Sequence, residues 1–100
     1  MLLERRIVSR KTPLDGKLEI SPDVAARLAG LGDDFALASA GRTGRARLES
    51  MTCSCAKGAG SGHVHHFVES PLLTALAPES VVRLELDAAQ PGTLRIEPGE

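Results

Sequence analysis

The dipeptide Ser-Pro occurs twice, at Ser21-Pro22 and Ser70-Pro71, each time between a strand-like stretch and aliphatic residues at helical spacing. Ser as N-cap with Pro at the first helical position is a strong helix start, because Ser accepts an orphan N–H and Pro has none to lose. Upstream of the first copy, Gly16-Lys17-Leu18-Glu19-Ile20 reads as a strand. Downstream, Val24, Leu28 and Leu31 recur at helical spacing until Gly30 and Gly32 stop the helix. A strand from Phe35 to Ser39, a turn at Gly41 to Gly44 and a strand from Arg45 complete a β-α-β-β unit. In the second half, His65 to Glu69, a short helix through Leu72, Leu73 and Leu76, Val81 to Asp87, and Thr93 to Glu97 repeat that order, the last strand entered through a Pro91-Gly92 turn. Shared punctuation by chance is the competing explanation. One such unit has too few strands to close a core, whereas two related by a pseudo-twofold can form a closed barrel of about six strands with no open edge.

The expected fold is therefore mainly β with two short helices: a small closed β-barrel of two β-α-β-β repeats, with a zinc-binding hairpin between them. The domain organisation expected is a single domain over 1–100, with repeat 1 at about 13–50, the hairpin at about 51–66 and repeat 2 at about 65–98. Its core would be almost purely aliphatic. The 100 residues include no Trp and no Tyr and only two aromatics, Phe35 and Phe67, which fall near the strands flanking the repeat helices and read as core anchors. A core this small and poor in large rings is marginal unless something staples it.

Asp15-Gly16-Lys17-Leu18-Glu19-Ile20-Ser21-Pro22, followed by a helix and then Leu31-Gly32-Asp33-Asp34-Phe35-Ala36-Leu37, resembles the opening of AbrB-type and MraZ-type swapped-hairpin barrels. The tandem arrangement is similar to MraZ, which carries two such halves in one chain. The resemblance spans about residues 13–50 and, more faintly, 65–98. It implies a swapped-hairpin barrel that binds DNA through basic residues on the first strand and adjoining loops. Ser21 stands between Ile20 and Pro22, and Glu19 stands where the family pattern carries Arg.

Between the repeats lies the segment richest in chemistry, Cys53-Ser54-Cys55 and, after seven residues of which three are glycine, His63-Val64-His65-His66. Residues i and i+2 of a strand share a face, so Cys53 pairs with Cys55 and His63 with His65. The two cysteines, ~6.5–7 Å apart in an extended chain, sit at the far limit for a disulfide and suit metal ligation better. Two thiolates and two imidazoles make a closed tetrahedral zinc site, and soft sulfur selects zinc over magnesium or calcium. His66 would replace a neighbour only through a bulge. The alternative is an exposed hairpin with idle cysteines. A small zinc hydrolase would need an open metal position, and although Glu49 and Glu69 share the parity of the ligands, no activating spacing is present, so a non-enzyme is expected.

Charge gives the remaining candidates. Residues 1–60 hold ten Lys and Arg against seven Asp and Glu, and residues 61–100 hold two against six, so the halves differ in sign within a net charge of −1. Arg42, Arg45 and Arg47, with Arg5, Arg6, Arg10 and Lys11 of the N-terminus, form the best phosphate-contacting set, since guanidinium forks match phosphate. Without aromatic platforms, base stacking is unsupported. Duplex DNA is the first expected partner; a protein partner or homo-oligomer, with a purely structural zinc, is the alternative. No substrate pocket, signal peptide or membrane helix is legible, and a cytoplasmic location is expected.

Overall fold

A computed structural model describes residues 2–53 and 63–99, with Cys53 and His63 placed by their backbone. The chain runs β1 (Leu2–Ile7), α1 (Thr12–Asp15), β2 (Lys17–Ile20), α2 (Pro22–Ala29), β3 (Asp34–Ser39), β4 (Arg42–Cys53), β5 (His63–Glu69), a 3₁₀ helix (Pro71–Ala75), β6 (Val81–Leu86) and β7 (Thr93–Pro98). All seven strands join one sheet in the order β1-β6-β7-β3-β4-β5-β2. Neighbours are antiparallel except β3 and β7, which run parallel. The sheet curls into a nearly closed barrel whose terminal strands are β1 and β2. Glu4 on β1 reaches across that seam, its carboxylate accepting the N–H of Ser21 just beyond β2 at 3.1 Å.

The helix starts form as the sequence dictates. Ser21 accepts the Val24 N–H at 3.2 Å and opens α2, which buries Val24, Ala25 and Leu28. Ser70 accepts the Leu72 N–H at 3.2 Å, but the element it opens is a 3₁₀ helix of five residues and not an α-helix. Ser70 is itself buried and donates to the Arg45 carbonyl at 2.8 Å, tying this turn to β4.

Four expectations need correction. The basic N-terminus, to which the sequence reading assigns no element, forms a strand: Leu2 to Ile7 is β1, paired along β6 with a bulge between Leu2 and Glu4. The β3–β4 turn is centred on Ala40-Gly41, both at positive φ (52° and 77°), so Arg42, Thr43 and Gly44 already belong to β4. Positive φ at both central residues is the two-residue turn whose twist matches the flanking strands. Only one of the two helices is a full α-helix of the expected kind, and the short α1 was not expected. Phe67 is no core anchor: Val68 takes the inward parity of β5 at 0% exposure, so Phe67 faces outward, half-buried.

The core is aliphatic apart from Phe35. Leu18, Ile20, Leu28, Leu37, Val68, Leu73, Leu84, Leu94 and Ile96 interdigitate inside the barrel. Each half contributes its own hairpin, β3–β4 and β6–β7, and β2 pairs with β5; within the strand order, the β3–β7 parallel pairing has no counterpart between β6 and β4.

Candidate metal centre

The hairpin bearing the Cys and His residues is a regular antiparallel ladder. Its register runs without a shift from Arg47↔Glu69 through Leu48↔Val68, Ser50↔His66, Met51↔His65 and Thr52↔Val64 to Cys53↔His63. Cys53 and His63 thus hold partner positions on the last described rung, two residues beyond the Met51–His65 rung and on the same ladder parity. Cys55 lies outside the described residues. Among those residues no three His, Cys, Asp or Glu side chains form a group able to hold a metal ion.

The unbroken register separates the remaining two histidines. His65 faces outward, where its Nδ1 lies 2.8 Å from Glu19 Oε2 on β2. A carboxylate only accepts, so this ring carries its proton on Nδ1. The Phe67 ring braces the imidazole, centroid to centroid 6.4 Å. His66 faces the other way, with Nδ1 2.8 Å from Ser50 Oγ. His65 and His66 are therefore not brought together.

Outward parity on β2, β4 and β5 also builds a ladder of charge pairs. Arg45 binds Asp34 of β3. Arg47 Nε meets Glu69 Oε1 at 2.7 Å, and Lys17 Nζ reaches from β2 over β5 to Glu49 Oε1 on β4, also at 2.7 Å. The Glu49 contact raises the Lys17 pKa against a smaller opposing effect of burial, and Lys17 in turn holds the Glu49 carboxyl below the ordinary carboxylate value. Glu69 likewise raises Arg47.

The seven basic candidates are spread over β1, the segment that follows it and β4. Arg45 and Arg47 line an open cavity of about 460 Å³ together with Asp15, Asp34, Glu69 and Leu14. Arg10 and Lys11 line another, about 570 Å³, with Lys17, Glu19, Met51, His65 and Phe67. Arg10 contacts Glu79 at 3.2 Å, Arg6 lies 3.7 Å from Glu4, Arg5 stands opposite Arg83 of β6, and Arg42 is exposed beside the β3–β4 turn. Glu49 and Glu69, the carboxylates that share strand parity with the expected ligands, are engaged by Lys17 and Arg47.

Glu19 is the residue that sequence reasoning passed over. Its only trace in the sequence is that it occupies the position where the resembled family carries Arg; its partner, His65, is 46 residues away and is reached only through the β2–β5 register. Among the described residues no helix is long and apolar enough to cross a membrane. No protein-family model, curated protein or solved structure matches the chain.

Proposed function

We propose that this chain is a non-enzymatic zinc-binding β-barrel module that works by docking onto a protein partner or a second copy of itself. Cys53, Cys55, His63 and His65 are the ligands. The observation that carries the reading is the unbroken β4–β5 register, which sets Cys53 opposite His63 one parity step from an outward His65 already oriented by a carboxylate. Two thiolates and two imidazoles close a tetrahedral zinc site and leave no open position for catalysis. His66, on the opposite parity, is left out of the ligand set. The two halves are diverged repeats of the AbrB and MraZ type, a reading supported by the β2–β5 pairing and by one hairpin in each half.

Duplex DNA, the partner that the resemblance implies, is placed second. Arg45, Arg47 and Arg10 are each matched by Asp34, Glu69 and Glu79, so releasing them to phosphate would break existing pairs. A surface of alternating acids and bases suits a protein face of complementary pattern better than a uniform polyanion.

Zinc-loaded, desalted protein should retain about one ion per chain, and the double substitution Cys53→Ser, Cys55→Ser should retain none. Zinc-free wild-type protein after loading, or full retention by the double variant, refutes the metal reading. In a mobility-shift assay at low salt the loaded protein should leave duplex DNA unretarded. Retardation with a steep salt slope that Arg45→Glu, Arg47→Glu flattens would install the DNA reading in its place.

A further inference from the structure

One end of the barrel has a mouth that neither the hairpin nor the charge pairs use. β6, β7 and β3 are neighbours in the sheet, and the inward residues nearest this end are Val82, Ile96 and Ser39. Ser39 and Ile96 are register partners across the parallel pairing. These three residues line a cavity of about 470 Å³, whose other wall comes from Ala75 to Ala77 and from Ser80 and Val81. Ala40, Ala75 and Ala77 give it an exposed rim of small side chains. Among the described residues no charged or aromatic side chain lines it.

Ser39 is the exception on this apolar floor. It is 3% exposed, and its hydroxyl hydrogen-bonds to none of the described residues. The oxygen is not sealed from solvent either, so it opens into the cavity. Buried hydroxyls take a partner as a rule: Thr12 and Ser70 donate to the Lys17 and Arg45 carbonyls, each at 2.8 Å. Ser80, also in the lining, donates to the Ala77 carbonyl at 2.6 Å.

We propose that this mouth binds a small neutral aliphatic molecule whose single polar group, a hydroxyl or carbonyl oxygen, meets the Ser39 hydroxyl at the floor. Barrel mouths are a usual place for such sites, and the volume lies within the range of small-molecule pockets. The lining sets the ligand class. A carboxylate, phosphate or amine would lose its water there without gaining a counter-charge. A planar ring would find no aromatic face to stack on. An aliphatic side chain from a protein partner would put its apolar tip against Ser39 and leave the hydroxyl unpaired, whereas a chain ending in oxygen satisfies it. The site is independent of the metal reading.

The test is an amide NMR titration of the full chain with 1-heptanol, with heptanoate at neutral pH as the charged comparison. Heptanol should produce saturable shifts at Ser39, Ala77, Val81 and Ile96 and leave Val24 unmoved; heptanoate should bind at least about tenfold more weakly. Ser39→Ala should weaken heptanol binding about 2- to 10-fold, the net worth of one hydrogen bond. Ala77→Leu, on the exposed rim, should abolish it by filling the mouth without lowering the urea midpoint. Shifts that spread over the surface without saturating would overturn the proposal, and so would undiminished heptanol affinity in Ser39→Ala or in Ala77→Leu. Movement of the same amides with protein concentration alone would assign the mouth to a second copy of the chain instead.

Discussion

Replacing Gly16 by Ala tests how the fold joins its two halves. Gly16 caps α1 at φ +69°, donates its N–H to the Thr12 carbonyl at 2.8 Å and accepts the Ser70 N–H at 2.9 Å, so it links the start of β2 to the buried turn after β5. An L-residue in that left-handed conformation costs about 1–2 kcal/mol, of which about 0.4–1 is returned because Ala restricts the unfolded chain. At Gly16 the added Cβ would also stand 2.8 Å from the Ser70 carbonyl oxygen, a backbone atom that cannot swing aside. Relief requires stretching the Gly16–Ser70 hydrogen bond, worth about 1 kcal/mol. The expected loss is about 1.5–2 kcal/mol. Gly92 supplies the control: its φ is +89° but a Cβ there meets nothing within 4 Å, so Gly92→Ala should cost only the conformational part, about 0.5–1 kcal/mol. Urea unfolding of both variants, read as midpoint shifts at constant slope, gives the two values. If Gly16→Ala costs no more than Gly92→Ala, the Ser70 contact does not constrain the fold and the reasoning fails.

Three further outcomes are expected. Ala40, exposed at φ +52° in the β3–β4 turn, should yield a gain of about 0.5–1 kcal/mol on replacement by Gly, visible as a higher thermal midpoint; a loss would contradict the turn assignment. Ser21→Ala removes the α2 cap and should cost about 1 kcal/mol in urea unfolding, while Ala at the exposed Ser50 should cost far less. Because Lys17 lowers the folded-state pKa of Glu49, that pair's stabilisation is present above the ordinary carboxylate value and is lost as pH falls through the lowered one. Glu49→Gln should therefore flatten the acid limb of the stability profile, and an unchanged acid limb would show the pair to be inert.

Much of the fold is legible because its signals are local. Ser21-Pro22 specifies a cap whatever lies around it, and Val82, Leu84, Leu94 and Ile96 announce buried parities by alternation. β1 is illegible for a physical reason. Leu2-Leu3-Glu4-Arg5-Arg6-Ile7 has no alternation, because the strand ends the sheet and spends Glu4 on the seam to Ser21 in place of an apolar contact. The β3–β4 turn is misplaced from sequence because Ala40 occupies a position where Asn, Asp or Gly would have flagged it. The candidate site divides in the same way. Strand parity places His65 apart from His66 from sequence alone once the ladder is regular. The pairs Arg47–Glu69, Lys17–Glu49 and Glu19–His65 depend on which strands become neighbours, and composition carries no trace of that.

The structure also alters what a zinc ion at this hairpin would do. A thin aliphatic core invites the idea of a metal staple, yet the Cys53–His63 rung lies five residues beyond the Leu48–Val68 rung that enters the core, about 17 Å along the strands. The proposed ligands, moreover, fall within thirteen consecutive residues, 53 to 65, so an unfolded chain retains most of the donor set close at hand. A ligand stabilises the native state fully only when the unfolded state does not bind it; at a hundredfold excess over Kd the limiting gain is about 2.7 kcal/mol, and binding to unfolded Cys and His reduces it. Zinc should accordingly raise the urea-unfolding free energy by less than half that limit, while slowing exchange at the Thr52 and Val64 amides and leaving those of Leu84 and Leu94 unchanged. A full 2.7 kcal/mol gain would mean that the metal holds the barrel itself, and the assignment of its effect to the hairpin would have to be abandoned.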